Sequence, residues 1–470
     1  MTPIKKIPIS RLKTGINTFI TDEGILRIAS NDFENEYKIL LQSGLLQRLN
    51  EEGLMPNMLI DFQSESSPLT IQEQIDPAIF PYEWSPEMLR SAALCVLKVN
   101  QIANQYGYEL VDAHPYNVVF KYSQSLWVDV GSFKPASQIK VWNAEKEFME
   151  CYVDSLKIAE RGLLSIFQHL FLLSGNSFNG EQYTISRSSL QALNTKYLLR
   201  IRQYWYILKR FRAGTLDQSQ LNKLYRKASK TLLFVLSRLF FPHPPSTNYA
   251  YITRKIKRMR FSYNTTWGSY HEKAHLYDDN NQPLLSDRLS YIFDLAISLK
   301  PSSVLELAGN QGILSRAIAR NPGIKRTICS DYDHKAIDSL FLNIQNTREK
   351  LYVSRFNFMI SEIDLLGSRR PLRMTSDLVI ALAVVHHLSL SQGFSFQAII
   401  EQISLFSRKY IIVEFMPKGL WNGIFAPPLP AWYSEDEFVA CLRLSHNILI
   451  RHQLESNRVV FLLEKNKSSL

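Results

Sequence analysis

Cysteine is scarce. The 470 residues hold four, Cys95, Cys151, Cys329 and Cys441, and no two form a C-x-x-C pair, which excludes a zinc ribbon or a disulfide framework. Reduced thiols in a cytoplasmic protein are the simplest reading. Long hydrophobic runs are missing too. Leu163–Leu173 and Thr231–Phe241 are eleven residues each and are interrupted by His169 and Arg238, whereas a bilayer requires roughly 20 apolar residues. A transmembrane segment is therefore not expected. The opening MTPIKKIPISRLK carries charge but lacks the apolar stretch of a secretory signal. There is no low-complexity tract, no internal repeat visible by eye and no expected metal-ligand set.

What is present is a globular composition, 46% apolar and 21% charged. At this length two or three domains are expected, at roughly 100–200 residues each. The formal charge of +11 permits contact with nucleic acid or another anionic partner. Much of the excess lies between Lys196 and Arg260, where Arg200, Arg202, Lys209, Arg210, Arg226, Lys227 and Arg258 are interleaved with Tyr204, Trp205, Tyr206 and Phe211. Such a mixture can bind nucleic acid. At helical spacing it more often forms a solvated face over a packed one, and that reading is preferred here.

Three blocks divide the chain. Residues 1–190 open with Asn17–Thr21 and Gly24–Ala29, which read as a hairpin turning at Asp22-Glu23. A helical pattern follows over Asn35–Asn50, then an extended stretch over Leu69–Ile75. A long helix runs over Ser85–Tyr106, with Ser85 as N-cap and Pro86 behind it. Residues 191–247 read as a basic helical connector ending in the linker Pro242-His243-Pro244-Pro245. From 248 to 470, short β-branched runs alternate with helical segments, the pattern of a parallel sheet wrapped by helices.

In this last block, Ser303–Leu307 reads as a buried strand ending near an acid, Glu306. A tight turn, Ala308-Gly309-Asn310-Gln311-Gly312, leads into a helix at Ile313. That geometry brings backbone amides close to a bound cofactor. Roughly 20 residues on, a second strand ends in Asp331, placed to accept hydrogen bonds from ribose hydroxyls. Asp364 follows, and then the strand beginning at Asp377 runs into His386-His387. A further strand, Tyr410–Glu414, comes one helix later. Strand and acid, repeated in this order, are harder to obtain by accident than a lone glycine turn.

On these motifs, residues 262–464 resemble the class I S-adenosylmethionine (SAM) dependent methyltransferases. They resemble in particular a bacterial subgroup with a long N-terminal extension, some of whose members are labelled nodulation proteins. The subgroup's D-L-G-A-N-x-G is matched by Glu306–Gly312, its D-L-V-L-A-L-A-x-x-H-H-L by Asp377–Leu388, its I-E-F-V-P-K by Val413–Lys418 and its W-x-x-Y by Trp267–Tyr270. The resemblance implies a Rossmann-like, seven-stranded methyltransferase domain. It also implies that Glu306, Asn310 and Gly312 line the methionine end of SAM and that Ala308 and Gly309 belong to the same cofactor-binding turn, with Asp331 at the ribose and Asp364 near the adenine. Trp267 and Tyr270 would close over the cofactor. Ala308 stands where most class I enzymes have their first glycine, and Gly309 is expected to supply the positive φ that the turn requires.

Methyl transfer demands alignment more than acid or base, and a base matters only if the acceptor must first lose a proton. His387, His386 and Glu414 are the candidates. No N-P-P-Y-type loop follows the fourth strand, which disfavours amino-group methylation of DNA or glutamine. A small molecule, a glycan or a protein remains as acceptor.

A second constellation lies in the first block. Asp112 and Asn117 are five residues apart, and Asp129-Val130-Gly131 follows a short hairpin around Tyr122–Ser125. This spacing resembles the catalytic loop and metal-binding segment of protein kinases and aminoglycoside phosphotransferases. No Gly-rich phosphate loop and no V-A-I-K lysine can be assigned, so Arg27 with Glu36 would have to imitate the usual Lys–Glu pair. The expectation is a degenerate, catalytically silent kinase-like α+β domain that binds or positions the acceptor. An active phosphotransferase working beside the methyltransferase on a glycan, or a non-enzymatic nucleic-acid-binding scaffold, is the alternative.

Overall fold

The computed structural model describes residues 5–6, 15–61, 69–136, 141–164, 167, 205–214, 235–236, 239, 246–263, 265, 278, 282–345, 347, 349–360, 370–421, 424 and 427–466. Most of the expected basic connector, including Arg200, Arg202, Arg226 and Lys227, lies outside them, as does the Pro242–Pro245 linker.

The N-terminal block opens on β1 (Lys5–Lys6), β2 (Ile16–Thr21), β3 (Gly24–Ala29), β4 (Met58–Asp61) and β5 (Leu69–Gln72). They form one antiparallel sheet in the order β1-β2-β3-β5-β4. Between β3 and β4 come α1 (Glu34–Gln42) and α2 (Leu45–Glu51), where the sequence pattern reads as a single helix. The break falls at Gly44, whose φ of 79° ends one helix and starts the next. Apolar periodicity alone cannot register this, because both helices bury the same stripe of leucines.

Next comes α3 (Pro86–Gln105), preceded by Ser85 in extended conformation. It leads to β6 (Tyr108–Leu110), β7 (Val118–Lys121), β8 (Gln124–Trp127) and β9 (Phe133–Pro135), which form the antiparallel ladders β6–β9 and β7–β8. The short helices α4 (Glu145–Phe148) and α5 (Ser155–Glu160) follow, then α6 (Tyr249–Arg258). The pattern assigns α6 to the C-terminal block, yet it packs on α3. Asn100 Nδ2 donates to Tyr249 Oη at 2.7 Å, and Ile252 and Ile256 are buried.

The C-terminal block runs α7 (Asp287–Ser298), β10 (Ser303–Leu307), α8 (Ile313–Ala319), β11 (Arg326–Asp331), α9 (His334–Ile344), β12 (Leu351–Arg355), α10 (Arg370–Met374) and β13 (Ser376–Ala381). It continues with α11 (Phe396–Leu405), β14 (Ser407–Phe415), α12 (Glu435–Arg443), β15 (His446–Glu455) and β16 (Arg458–Lys465). Seven strands make one sheet in the order β12-β11-β10-β13-β14-β16-β15. The first five are parallel and β16 is antiparallel to both its neighbours. β10 is buried along its whole length, as a parallel strand covered on both faces must be.

Alternation along β10 sorts the two cores. Val304 faces a cluster with Ile292, Leu314 and Ile318 from α7 and α8. Leu305 and Leu307 face the other way, into a core that continues through α9 to α3 in the N-terminal block. The strand order reverses at β10, since β11 lies on one side and β13 on the other. Open α/β sheets bind their ligands at such a reversal, outside the carboxyl ends of the strands.

Candidate functional site

The turn after β10 is built from three residues in left-handed backbone conformation, Ala308 (φ 54°), Asn310 (φ 49°) and Gly312 (φ 68°). Gly309 is not among them, so the expected division of labour is reversed: Ala308 itself takes the positive φ. Gly309 is needed for another reason. A Cβ there would sit 2.7 Å from Cys329 Sγ and 2.9 Å from Glu306 Cδ, and one on Gly312 would sit 2.7 Å from Leu340 Cδ2. The loop therefore lies flat on β11, and Gly309 N donates to Ser330 O at 2.9 Å.

Asp331 ends β11 directly beside this loop. Its Oδ2 accepts from Asn310 N at 2.8 Å and its Oδ1 from Asp333 N at 2.8 Å. Burial pushes its carboxyl up to about 6, against the pull of those same amides. A carboxylate has about four acceptor positions, so each oxygen keeps capacity after one amide bond. Glu306 points to the α7–α8 side. Its Oε2 accepts from Ser315 N at 3.1 Å and from the Ser315 hydroxyl. Burial raises this carboxyl to about 7, Ser315 opposes the shift, and Arg288 on α7 also favours the ionised form. A cationic ligand would favour it further.

Beyond β13 the chain turns through Ala383 (φ 51°) into His386 and His387. The two imidazoles lie 3.9 Å apart between centroids, tilted by 42°. His386 is buried and its Nδ1 has no hydrogen-bond partner among the described residues. Burial, with His387 and Arg458 nearby, pulls it down to about 3. Burial also lowers His387, which is less enclosed. Both rings are thus neutral at physiological pH.

The third candidate base, Glu414, is enclosed by partners. It is fully buried at the end of β14, and Arg288 Nη1 donates to its Oε1 and Oε2 at 3.0 and 3.1 Å. Arg458 Nη1 and Ala383 N donate to Oε2 at 2.8 and 2.9 Å. A carboxylate held by two guanidiniums and an amide is a structural anchor that fixes the turn leading to His386. Arg288, Ser315, Cys329 and Arg458 are missed by the sequence reading. Only three-dimensional packing brings them to the site, and no motif surrounds them.

Trp267, Tyr270 and Asp364 lie outside the described residues.

In the N-terminal block, the β7–β8 hairpin brings the second constellation together. Val128 N donates to Asn117 O at 2.9 Å, and Asp129 Oδ1 accepts from Gly131 N at 3.0 Å. Asp112 Oδ1 accepts from His114 N at 2.8 Å, and burial raises the Asp129 carboxyl, with Arg27 opposing the shift and Asp112 adding to it. The expected Arg27–Glu36 pair does not form. Arg27 is buried on β3, where it donates to Gln72 Oε1 and, at 2.7 Å, to Val128 O, and its charge faces Asp129. Glu36 instead lies 3.3 Å from Lys134 Nζ on β9. The guanidinium is spread across β5 and the β8 exit, which draws it away from α1.

The C-terminal sheet and its glycine turn define a Rossmann-like α/β unit of seven strands. Over nearly its whole length the chain is similar to nodulation protein NoeA of Rhizobium meliloti (strain 1021), with 22% identity over 455 residues, 90% of this chain and 89% of that protein. Among solved structures it is similar to magnesium protoporphyrin IX methyltransferase (ChlM) from Synechocystis PCC 6803 with bound SAM, at 13% identity and a TM-score of 0.31, covering 43% of this chain and 93% of that one. It is likewise similar to N-methyltransferase NodS from Bradyrhizobium japonicum WM9, at 13% identity and a TM-score of 0.29, covering 38% and 96%. No protein-family model matches.

Proposed function

We propose that the chain is a SAM-dependent methyltransferase. One observation carries this reading: Asn310 N meets Asp331 Oδ2 at 2.8 Å, fastening the glycine turn to the acid of the next strand at the point where the sheet reverses. In this reading Ala308, Gly309, Asn310 and Gly312 offer backbone to the cofactor, Asp331 takes the ribose hydroxyls and Glu306 faces the cationic amino-acid end. Asp364, Trp267 and Tyr270 keep the roles that the family resemblance implies. When bound, the cofactor supplies an electrophilic methyl group on a sulfonium.

The chain's own part is to hold an acceptor in line at the mouth of β13 and β14 and to keep water out. His387, neutral and half-buried, is the base for an acceptor that must lose a proton. His386, deeper and packed against it at a tilt, orients that ring. The acceptor is a small molecule, a glycan or a protein.

For the N-terminal block we infer a kinase-like fold that is catalytically silent. The two short ladders, with Asp112, Asn117 and Asp129 in the connections beside them, support the first part. The buried Arg27 supports the second, because its guanidinium is already committed to Gln72 and Val128 O and makes no pair with Glu36, which meets Lys134 instead. Isothermal titration of the full chain tests both parts. SAM binds, Asp331→Ala loses that binding, and ATP with magnesium gives no heat. Full SAM affinity in Asp331→Ala would remove the methyltransferase reading, and magnesium-dependent ATP binding lost in Asp129→Ala would favour the bifunctional one.

A further inference from the structure

Helix α9 starts three residues after Asp331, and its length is held by the N-terminal block. At its first turn, His334 meets the ring edge of Phe167 at 5.9 Å between centroids. One turn on, Asp338 Oδ1 accepts from Glu87 N at 2.9 Å and its Oδ2 from the Tyr263 hydroxyl. Further along, Phe341 packs edge-on against Phe120 at 5.6 Å, and at the end Ile344 O accepts from Ser123 Oγ at 3.2 Å. His334, Asp338 and Phe341 are spaced i, i+4 and i+7, one stripe of the helix. All three are buried, on a helix whose other side covers β11 and β12.

Glu87 is the second residue of α3, so its N–H is one of the orphan donors of a helix start. Ser85, the residue in capping position, makes no side-chain cap bond. The cap comes instead from Asp338, 251 residues away in sequence. The helix that carries this carboxylate is reached from the other end by a series of bonds: the glycine turn donates to Asp331, Asp333 N donates to Asp331, and Asp333 Oδ1 caps α9 through Lys335 N at 2.8 Å and Ala336 N at 3.2 Å. α9 is thus fixed at its start by the loop of the proposed cofactor site and in its middle by the start of α3.

We propose that Asp338 is a positioning residue for the cofactor site, through which the N-terminal block holds α9, and with it Asp331 and the glycine turn, in binding geometry. The inference rests on the methyltransferase reading for its ligand and on the described contacts for its mechanics. It gives the N-terminal block a task on the cofactor side. The described contacts between the blocks fall on β11, β12, α9 and α10, including Arg326 with Asp76, Tyr122 with Tyr352, and Arg373 with Glu83.

The test uses the full chain in three variants. Asp338→Ala loses both bonds, and Asp338→Asn keeps an oxygen acceptor for Glu87 N. Glu145→Gln, the control, disturbs a buried cluster of the N-terminal block in which Glu145 meets Lys209 at 2.5 Å and Thr247 at 2.6 Å. Calorimetry with S-adenosylhomocysteine is expected to show at least a tenfold loss of affinity in Asp338→Ala, less than threefold in Asp338→Asn and none in Glu145→Gln. Hydrogen exchange without ligand is expected to rise about tenfold at the amides of Asn310, Asp333 and Lys335 in Asp338→Ala, about twofold in Asp338→Asn, which replaces the two bonds only in part, and not at all in Glu145→Gln.

Unchanged affinity and exchange in a folded Asp338→Ala overturns the proposal, and so does an equal affinity loss in Glu145→Gln. If the wild type binds no S-adenosylhomocysteine, the methyltransferase reading falls, and the exchange result still decides whether Asp338 holds the turn. Should Asp338→Ala not fold, Asp338→Asn against Glu145→Gln carries the comparison. Equal exchange at Asp333 in those two then overturns it.

Discussion

Ala308 holds an unusual place for a residue with a Cβ. A left-handed conformation costs an L-residue about 1–2 kcal/mol, and Ala308 bears it because its neighbour cannot share it. Gly309 must lie against Cys329 and Glu306, where no Cβ fits. Ala308→Gly is therefore expected to raise stability by about 0.5–1 kcal/mol, the relief of strain partly offset by a looser unfolded chain, and to preserve cofactor affinity. Gly309→Ala is expected to cost about 1–3 kcal/mol through overpacking and to weaken binding by displacing Glu306. Denaturant unfolding and titration of both variants check this. The turn itself was legible, because small residues between a strand and a helix permit little else, and the local pattern alone gives the positive φ to glycine. The crowding by Cys329 comes from a neighbouring strand and leaves no local mark.

Elements were the most legible level. The strands at Ser303, Arg326, Ser376 and Ser407 and the helix after Ser85 follow from runs that must be buried on two faces or on one stripe. The split at Gly44 and the docking of α6 on α3 were not legible, because each depends on which neighbour supplies the partner surface. Glu414 shows the same limit. Its place at the end of β14 was readable, but its partners come from residues 126 and 44 positions away. Glu414→Ala leaves Arg288 and Arg458 without their shared counter-ion and is expected to cost about 3–5 kcal/mol, the scale for breaking a buried ion pair. A base would instead lose turnover with its stability intact. Unfolding midpoints of Glu414→Ala and Glu414→Gln beside the wild type separate the two roles.

At the scale of the whole molecule, burial gives the ligand-free protein titrations of opposite sign. Glu306 titrates near 7 when folded against an ordinary 4.5, so between those values the folded chain keeps a proton that the unfolded chain has lost. Stability from this group falls as pH rises through that window, by at most about 3 kcal/mol, and is flat above it. His386, pulled down to about 3, works the other way, since its stability is lost as pH falls below about 6.5. The raw profile mixes the two, and Glu306→Gln separates them. The wild type's advantage over that variant is expected to shrink from pH 5 to pH 8 in urea unfolding. A cationic cofactor draws Glu306 into its ionised form, so affinity is expected to decline below pH 7 in the wild type and, in the variant, only below about pH 6, where Asp331 gains its proton.

The core that runs unbroken from α3 through α9 into the seven-stranded sheet also governs how this gene can change. Cut loose from residues before 264, the catalytic half would display Phe341 and a carboxylate stripped of its donors on a surface made for contact. Such a fragment would clump before it could work. A break in the chain at residue 264 is therefore expected to be tolerated only where both halves are expressed together.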